Sequence, residues 1–394
     1  MLPLIAVILT SIPTLIHSTD TSEFTQQNNR FAFNLLNVLP LNQNHFFSPL
    51  SISHSLYMLL NGANGRTETE LKALFNIHTN ETLQPMNENI KSTLHLINSK
   101  NSNDSVIRLA NRVLISNIYN LTESYNSVMR DTFNASVDSV DFTQNADNIT
   151  NNINDWIREQ TNGKIDKLFD TLANDTRFVI TNALYFSAVW DKPFDPYSTT
   201  DDDFYGINKT AKVLFMRQET KFRYTFDQQL NASLIELPFI HESNISMIIV
   251  FPNNTNGFNN TIEKLVSLSL NERLKNLYNS DKRQLKLRVP KFNLETSYDL
   301  KHPLRQLGLN TAFESSADLS GITGDRNVRV SEAIHKAVFK VTEVGAEASA
   351  AVGIVGVPHI WIPPLEVTIN RPFVFIIRDN NTGIVLFVGQ VFDV

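Results

Sequence analysis

The sequence of 394 residues contains no cysteine. It therefore has no thiol nucleophile, no cysteine-ligated zinc site and no disulfide framework. A chain of this length buries enough apolar surface to fold without disulfide bonds, so an extracellular protein stays possible. A basic surplus is also missing, because the formal net charge is −6, and this argues against a nucleic-acid partner. No block of Lys and Arg supports a polybasic membrane anchor or a heparin-type patch.

The motifs of common enzyme classes are absent as well. There is no Gly-x-Ser-x-Gly elbow, no His-Glu-x-x-His, no P-loop and no Gly-x-Gly-x-x-Gly. Nine histidines are scattered, and a lone one such as His78 is expected at the surface or satisfied in the core. The run Asp201, Asp202 and Asp203 is interpreted as a solvated acidic turn, because no calcium-loop Gly and Glu follow it. We expect no catalytic residue, metal or cofactor, and hence no enzyme.

One uncharged apolar stretch stands out, at the N-terminus. Residues 2–16 carry no charge, but Pro3 and Pro13 interrupt them, and the stretch is too short for a normal spanning helix. We interpret residues 1–18 as a signal peptide and residues 19–394 as the mature chain. No later stretch is long and apolar enough to span a bilayer. The protein is expected to be secreted and extracellular.

Sequons for N-glycosylation are frequent, and this supports the secretory interpretation. The chain has twelve Asn-x-Ser/Thr triplets without an intervening proline. Roughly half that number would arise by chance in an Asn-rich chain. The candidate glycosylation sites are Asn80, Asn103, Asn120, Asn134, Asn148, Asn174, Asn208, Asn231, Asn244, Asn253, Asn259 and Asn380.

Helical patterns dominate the first half of the chain and strand patterns the second. Apolar spacing predicts helices over 51–60, 67–75 and 146–160, with a capping box at the start of the second. Alternation predicts a strand over 284–292, and residues 373–388 are predicted as a buried hairpin with a polar turn. No repeat or linker divides the mature chain. This order of elements predicts an α+β domain, not a doubly wound sheet.

The segment from 343 to 364 alternates in a way that a loop does not require. At period two, small or apolar residues share one face: Ala346, Ala348, Ala350, Val352 and Ile354. Glu347 and Ser349 fall on the other face. A half-buried strand needs such alternation. We interpret the segment as existing in two states, outside a sheet and inside it. An ordinary Ala/Gly-rich linker would explain the small residues but not their alternation.

Several motifs, in the right order, resemble the serpin family over nearly all of the mature chain. They are residues 46–53, residues 181–186 with Trp190, Pro193 and Phe194, residues 333–337 and residues 371–373. The resemblance implies a single domain of three mainly antiparallel sheets, surrounding helices and an exposed reactive-centre loop, about 343–364. It also implies a monomeric suicide-substrate inhibitor. A target serine protease attacks the loop, and the acyl-enzyme is trapped when the cleaved loop inserts into the main sheet.

The same resemblance assigns roles to individual residues. A polar cluster under the main sheet, the shutter, would control its opening, and its members are Ser48, Ser51, Asn182 and His335. Insertion would begin at the breach, which consists of Trp190, Lys291 and Glu343. A pair between Lys291 and Glu343 would hold the hinge closed, and two ordinary surface charges are the alternative. The hinge itself comprises Glu343, Gly345, Ala346, Glu347, Ala348, Ser349, Ala350 and Ala351.

The reactive bond depends on the end from which the loop is counted. Counting from the hinge by family spacing gives His359–Ile360, which we prefer because insertion needs a fixed arm length. Counting back from Pro372 gives Trp361–Ile362. Residues 344–370 contain no Lys or Arg, so chymotrypsin- or elastase-like targets are favoured over trypsin-like ones, and a cysteine protease stays open. The alternative function is a non-inhibitory carrier, chaperone or storage protein, which the small alternating residues disfavour.

Overall fold

The computed structural model describes residues 22–102, 104–240, 243–268, 270–346 and 363–394. At 109–111, 182–184 and 346 the description is confined to the backbone. Several sequence predictions lie outside the described residues. These are the signal peptide at 1–18, the sequon at Asn103, the hinge residues Glu347, Ala348, Ser349, Ala350 and Ala351, and the candidate reactive-bond residues His359, Ile360, Trp361 and Ile362.

The described residues form ten α-helices. They are α1 (Glu23–Val38), α2 (Pro49–Leu60), α3 (Gly65–Leu74), α4 (Gln84–Asn98), α5 (Glu123–Asp131), α6 (Phe142–Gln160), α7 (Phe258–Ser267), α8 (Leu270–Asn279), α9 (Lys301–Gln306) and α10 (Ser320–Thr323). The predicted helices over 51–60, 67–75 and 146–160 correspond to α2, α3 and α6. The predicted capping box is wrong. Helix α3 begins earlier, at Gly65, and Glu70 instead accepts hydrogen bonds from the backbone N–H groups of Asn310 and Thr311, each at 2.8 Å.

Fifteen strands complete the described residues. They are β1 (His45–Phe47), β2 (Ser105–Ser116), β3 (Ser136–Val140), β4 (Phe178–Val189), β5 (Thr200–Tyr205), β6 (Thr210–Asp227), β7 (Ala232–Pro238), β8 (Ile245–Pro252), β9 (Lys282–Pro290), β10 (Phe292–Asp299), β11 (Ile334–Val341), β12 (Gly345–Ala346), β13 (Leu365–Thr368), β14 (Phe373–Asp379) and β15 (Val385–Val391). Helices early and strands late give the expected α+β class.

The larger sheet has nine strands in the order β1-β15-β14-β8-β7-β6-β9-β13, with β5 paired to β6. Strand β6 is 18 residues long and pairs with β5 and β9 over its first part and with β7 at its end. Hydrogen bonds along β6 therefore join two of the three expected sheets. The predicted terminal hairpin is β14–β15, and Gly383 in its turn has a φ of 75°, which favours glycine.

The smaller sheet is the main sheet of the expected fold, with the order β10-β11-β12-β4-β2-β3. Strand β12 has two residues and pairs antiparallel with both β11 and β4. Strands β4 and β11 therefore run parallel to each other, and β12 lies between them at one end. Stacked rings fill the space between the two sheets, with Phe46 centred 4.9 Å from Phe339 and 5.0 Å from Phe387. Helix α6 covers the opposite face through Ile149, Ile153 and Ile157.

The interpretation of the three consecutive aspartates as an acidic turn is wrong. They lie in β5, where Asp203 is paired across the strands with Lys212 and forms a salt bridge of 3.0 Å with it. Asp202 forms a second salt bridge, of 2.7 Å, with Arg288. Lys212 and Arg288 therefore offset the negative charges of Asp203 and Asp202 across the sheet.

Two further expectations concern membranes and metals. None of the described helices is both long and apolar enough to cross a bilayer. Within the same residues, no group of three or more His, Asp or Glu side chains is placed to hold a metal ion. The lone His78 lies at the surface, with 87% of its side chain exposed.

Candidate functional site: the main sheet and its hinge

The hinge enters the main sheet between β11 and β4. In the register, Ala346 lies opposite Val341 on one side and Ala188 on the other. Gly345 lies opposite Val189, with a φ of 154°, and a Cβ added there would lie 2.2 Å from the carbonyl oxygen of Ala188. Only glycine fits this position without moving the backbone of β4. Two of the hinge residues, Gly345 and Ala346, thus already form a strand of the sheet.

Glu343 is held by two donors beside this entry. Its carboxylate oxygens lie 2.9 and 2.8 Å from Nζ of Lys291, and the Thr199 hydroxyl donates to the same carboxylate at 2.9 Å. Partial burial on its own raises the pKa of Glu343, but hydrogen bonds from Lys291, from the backbone N–H of Glu343 and from Thr199 together outweigh burial and keep that pKa below its ordinary value. The structure brings the two predicted partners together, and it adds Thr199, which no sequence motif indicated.

Trp190 is buried at the end of β4, against the turn that precedes the hinge. Its ring stacks on Phe239 at a centroid distance of 4.4 Å, and its indole N–H donates to the carbonyl of Thr342 at 3.0 Å. The backbone N–H of Trp190 donates to the carbonyl of Val344 at 2.9 Å. Trp190 therefore fixes the hinge backbone on both sides of Glu343, so Trp190, Lys291 and Glu343 form one site.

Three of the four predicted shutter residues meet at the N-terminus of α2. The Ser48 hydroxyl accepts from the backbone N–H of Ser51 at 3.0 Å and donates to the carbonyl of Leu386 at 2.8 Å. The backbone N–H of Ser48 donates to Nε2 of His335 at 3.1 Å. The fourth residue, Asn182, lies on β4 with its backbone opposite Asn111. The hydroxyl of Ser48 thus caps α2 and ties it to β15.

Burial sets the protonation state of His335. Its side chain is enclosed beneath β11, and desolvation lowers its pKa to about 4. Because Nε2 accepts a hydrogen bond from Ser48, the neutral ring carries its proton on Nδ1. A cavity of about 60 Å³ lies beside His335, lined also by Ser51, Ile180 of β4 and Leu304. The region beneath β4 and β11 is therefore less tightly filled than the stacked phenylalanine core.

Sequence reasoning missed an extension of this network through His45 and Tyr298. The Tyr298 hydroxyl accepts from the backbone N–H of Phe46 at 3.1 Å and lies 3.1 Å from Nδ1 of His45. Burial, partly offset by the bond from Phe46, raises the pKa of Tyr298 to about 12. Tyr298 is also the neighbour of His335 across the β10–β11 pair. Only the pairing of these strands brings the two together, so no local pattern could have shown it.

Comparisons with known proteins agree with this architecture. Residues 26–394 match the family described as serpin (serine protease inhibitor). Iripin-8 from Ixodes ricinus is 34% identical, over 95% of this chain and 94% of its own length. The human leukocyte elastase inhibitor is 32% identical, over 93% of this chain and 98% of its own length. The crystal structure of human thyroxine-binding globulin has a TM-score of 0.79 at 29% identity and covers 94% of this chain and 98% of its own.

The predicted family and fold class are therefore confirmed. The family match covers nearly the whole described chain. It agrees with the α+β architecture, with the parallel arrangement of β4 and β11 and with the two-residue strand between them. The description of the family is that of serine protease inhibitors, not of catalytic enzymes. The chain belongs to the serpin family.

Proposed function

We propose that this serpin is a secreted suicide-substrate inhibitor of serine proteases, of chymotrypsin-like or elastase-like rather than trypsin-like targets. The observation that carries the proposal is β12, because it sets the start and register that a strand inserted between β4 and β11 would follow. A target protease would cleave the loop as a substrate and be held as an acyl-enzyme. Insertion of the freed arm would then distort the protease before water releases it.

The register of β12 determines which face of the sheet each residue of the alternating segment would occupy after insertion. Ala346 lies opposite Ala188, so an extended strand would place 348, 350, 352 and 354 opposite 186, 184, 182 and 180. Residues directly opposite on paired strands point to the same face. Ala188 and Phe186 belong to the main core. The small residues of the loop would therefore enter the crowded side of the sheet, and Glu347 and Ser349 would face away from it.

The gap between β4 and β11 also matches the alternating segment of the loop in length. An isolated bridge between Val179 of β4 and Glu332, just before β11, closes the far end of the gap between these two strands. In the register of β12, residue 355 would lie opposite Val179, one position after the alternating segment ends at Ile354. About ten new ladder positions at roughly 0.5–1.5 kcal/mol per hydrogen bond, with apolar burial added, would make insertion effectively irreversible.

Specificity is proposed from the loop sequence and from relatives. No Lys or Arg occurs from 344 to 370, so a pocket that selects a cation has no ligand on either side of His359–Ile360 or Trp361–Ile362. The name of the human leukocyte elastase inhibitor supports an elastase-like target. We propose that the inhibitor acts as a monomer outside the cell, after removal of residues 1–18.

Glycosylation is proposed at the sequons whose asparagines are exposed in the structure. They are Asn80, Asn120, Asn134, Asn148, Asn174, Asn208, Asn253 and Asn259. Asn231, Asn244 and Asn380 are half-buried. The amide of Asn380 donates to Ser246 at 2.8 Å and accepts from the Tyr278 hydroxyl at 2.9 Å, so the nitrogen that would carry the sugar is already hydrogen-bonded inside the protein.

The proposal is tested by incubating the protein with chymotrypsin, elastase and trypsin and resolving the products under denaturing conditions. We expect a covalent adduct with chymotrypsin or elastase and none with trypsin. Mass spectrometry of the released C-terminal peptide then assigns the cleaved bond to His359–Ile360 or Trp361–Ile362. Clean cleavage without an adduct for every protease would contradict the inhibitory function.

A non-inhibitory carrier is the second candidate function, and the likeness to thyroxine-binding globulin favours it. That protein binds thyroxine in its crystal structure on the same overall fold. The two candidates differ in the fate of the cleaved loop. An inhibitor gives an adduct, whereas a carrier gives only the cut chain, so the same incubation separates them.

A further inference from the structure

Strands β6 and β9 place six cations on one exposed face, next to the end of the reactive-centre loop. We define this cationic face by Arg217, Lys221, Arg223, Lys282, Lys286 and Arg288, which are all exposed or half-exposed. The inference rests on the proposed function and extends it. We propose that the cationic face is a docking surface for an acidic region of the target protease, which it contacts while the loop occupies the active site.

The pairing of β6 with β9 sets like charges directly opposite each other. Arg217 lies opposite Arg288, and Arg223 lies opposite Lys282. Like charges at directly opposite positions destabilise a sheet. Three of the six cations are compensated within the protein, through Arg223–Glu236, Lys286–Glu366 and Arg288–Asp202. In the described part of the chain, Arg217, Lys221 and Lys282 form no ion pair. Fold stability does not explain these three, whereas an anionic partner would.

The position of the face fits a protease bound to the loop. Strand β13 begins at Leu365 and pairs parallel with β9, with Glu366 opposite Lys286 and Thr368 opposite Arg288. His359 lies six positions before Leu365, so at most about 20 Å of chain joins the preferred reactive bond to the edge of the face. A protease is wider than this, and one seated on the loop would therefore overhang β13 and β9.

The distribution of charge favours a protein partner over a polyanion. Glu219 and Glu366 lie within the same rows as the cations, opposite or beside Lys286. A uniformly anionic chain would be repelled at these carboxylates, whereas a mixed protein surface can match both signs. The face is also anomalous for a chain with a net charge of −6. None of the twelve sequon asparagines lies in β6, β9 or β13, so no glycan would be attached to a residue of these strands.

The test compares two triple variants with the same change in charge. The face variant combines Arg217→Glu, Lys221→Glu and Lys282→Glu. The control variant combines Arg30→Glu, Lys91→Glu and Arg329→Glu, three exposed cations elsewhere on the surface. Each is incubated with an anionic and with a cationic isoform of chymotrypsin. The rate is read as loss of intact chain, which occurs for an inhibitor and for a plain substrate alike, and the adduct fraction reports the proposed function separately.

At low salt we expect the face variant to be consumed by the anionic isoform about tenfold or more slowly than the parent protein, with a weaker dependence on salt. The control variant should stay within about twofold of the parent, and the cationic isoform should not be slowed by the face variant. Equal slowing of both variants, or slowing of neither, would overturn the proposal. If the face variant loses retention on heparin while its rates are unchanged, the face binds a sulfated polysaccharide instead. Should the face variant misfold, the three corresponding Gln substitutions replace it.

Discussion

The backbone N–H of Ser48 donates a hydrogen bond of 3.1 Å to Nε2 of His335, and this bond joins the N-terminus of α2 to β11. The bond requires a neutral imidazole, because a protonated Nε2 would point its own N–H at that of Ser48. One helix terminus and one strand of the main sheet are therefore linked through a group that titrates. The stability of the closed sheet should depend on pH.

The first prediction follows from the pKa of His335. That pKa is about 4 in the folded protein and 6.5 for an unperturbed histidine, so the unfolded chain binds more protons between these values. The free energy of unfolding should therefore decrease as the pH falls from about 6.5 towards 4. The lost stability is about 3 kcal/mol for a shift of this size. Urea midpoints at about pH 7 and about pH 4.5 measure the change.

The matched variants for this measurement are His335→Gln and His78→Gln. The glutamine amide oxygen can accept the bond from Ser48 but does not titrate, so His335→Gln should flatten the pH dependence. His78 is exposed, and its replacement should leave the dependence unchanged. An unaltered pH dependence in His335→Gln would show that other groups carry the effect.

The second prediction concerns the pair between Lys291 and Glu343. Lys291 retains 31% of its side-chain exposure, so solvent screens the interaction. We expect a coupling free energy of about 1 kcal/mol from the double-mutant cycle of Lys291→Met and Glu343→Gln. Chemical unfolding of the two single variants and the double variant measures it. Strictly additive effects would mean that the pair does not hold the hinge.

The third prediction concerns the fit of Gly345 against β4. Gly345→Ala would place a Cβ 2.2 Å from the carbonyl oxygen of Ala188, so we expect β12 to leave the sheet at a cost of about 1–3 kcal/mol. Gly308→Ala is the control, because Gly308 also has a positive φ, of 101°, but no atom within 4 Å of the added Cβ. Thermal midpoints compare the two variants. Equal losses would attribute the effect to φ alone and not to the close approach.

The fourth prediction concerns glycan occupancy of the protein when it is expressed through a secretory pathway. Asn259 is exposed, whereas both functional groups of the Asn380 amide are hydrogen-bonded to Ser246 and Tyr278. Peptide mapping after enzymatic removal of the glycans should find Asn259 occupied and Asn380 unmodified. Full occupancy at Asn380 would show that the hairpin turn is open when glycans are attached.

The sequence predicted those elements that local patterns specify. The hairpin of β14 and β15, strand β9 and helices α2 and α6 all carry their periodicity in consecutive residues, so the pattern identified them. The acidic run at 201–203 was misassigned because its compensation by Lys212 and Arg288 depends on strand pairing. A local sequence pattern depends only on neighbouring residues in the chain. It does not indicate which residues of another strand lie opposite them.

The residues of the candidate site also fall into two groups, those that sequence motifs predicted and those that only tertiary contacts reveal. Family motifs identified Ser48, Ser51 and His335, which meet in the structure, and Lys291 with Glu343, which form a pair. His45, Tyr298 and Thr199 escaped notice because only tertiary contacts bring them to the site. The cationic face escaped for the same reason. Arg217 and Lys282 are 65 positions apart in the chain, so no block of Lys and Arg marks them.

In the proposed mechanism the cleaved loop enters the main sheet with Ala346, Ala348 and Ala350 on its inward face. The most direct test is a set of single arginine substitutions that alternate along the loop. Ala346→Arg and Ala348→Arg place a charge on the inward face, where burial without a partner is costly. Glu347→Arg and Ser349→Arg are the matched controls on the other face.

The measurement is the ratio of covalent adduct to cleaved chain after incubation with chymotrypsin. We predict that both inward substitutions reduce this ratio at least about tenfold and turn the inhibitor into a plain substrate, and that both outward substitutions preserve the adduct. A ratio that does not alternate along the loop, or adducts that persist in Ala346→Arg and Ala348→Arg, would contradict insertion in the register set by β12.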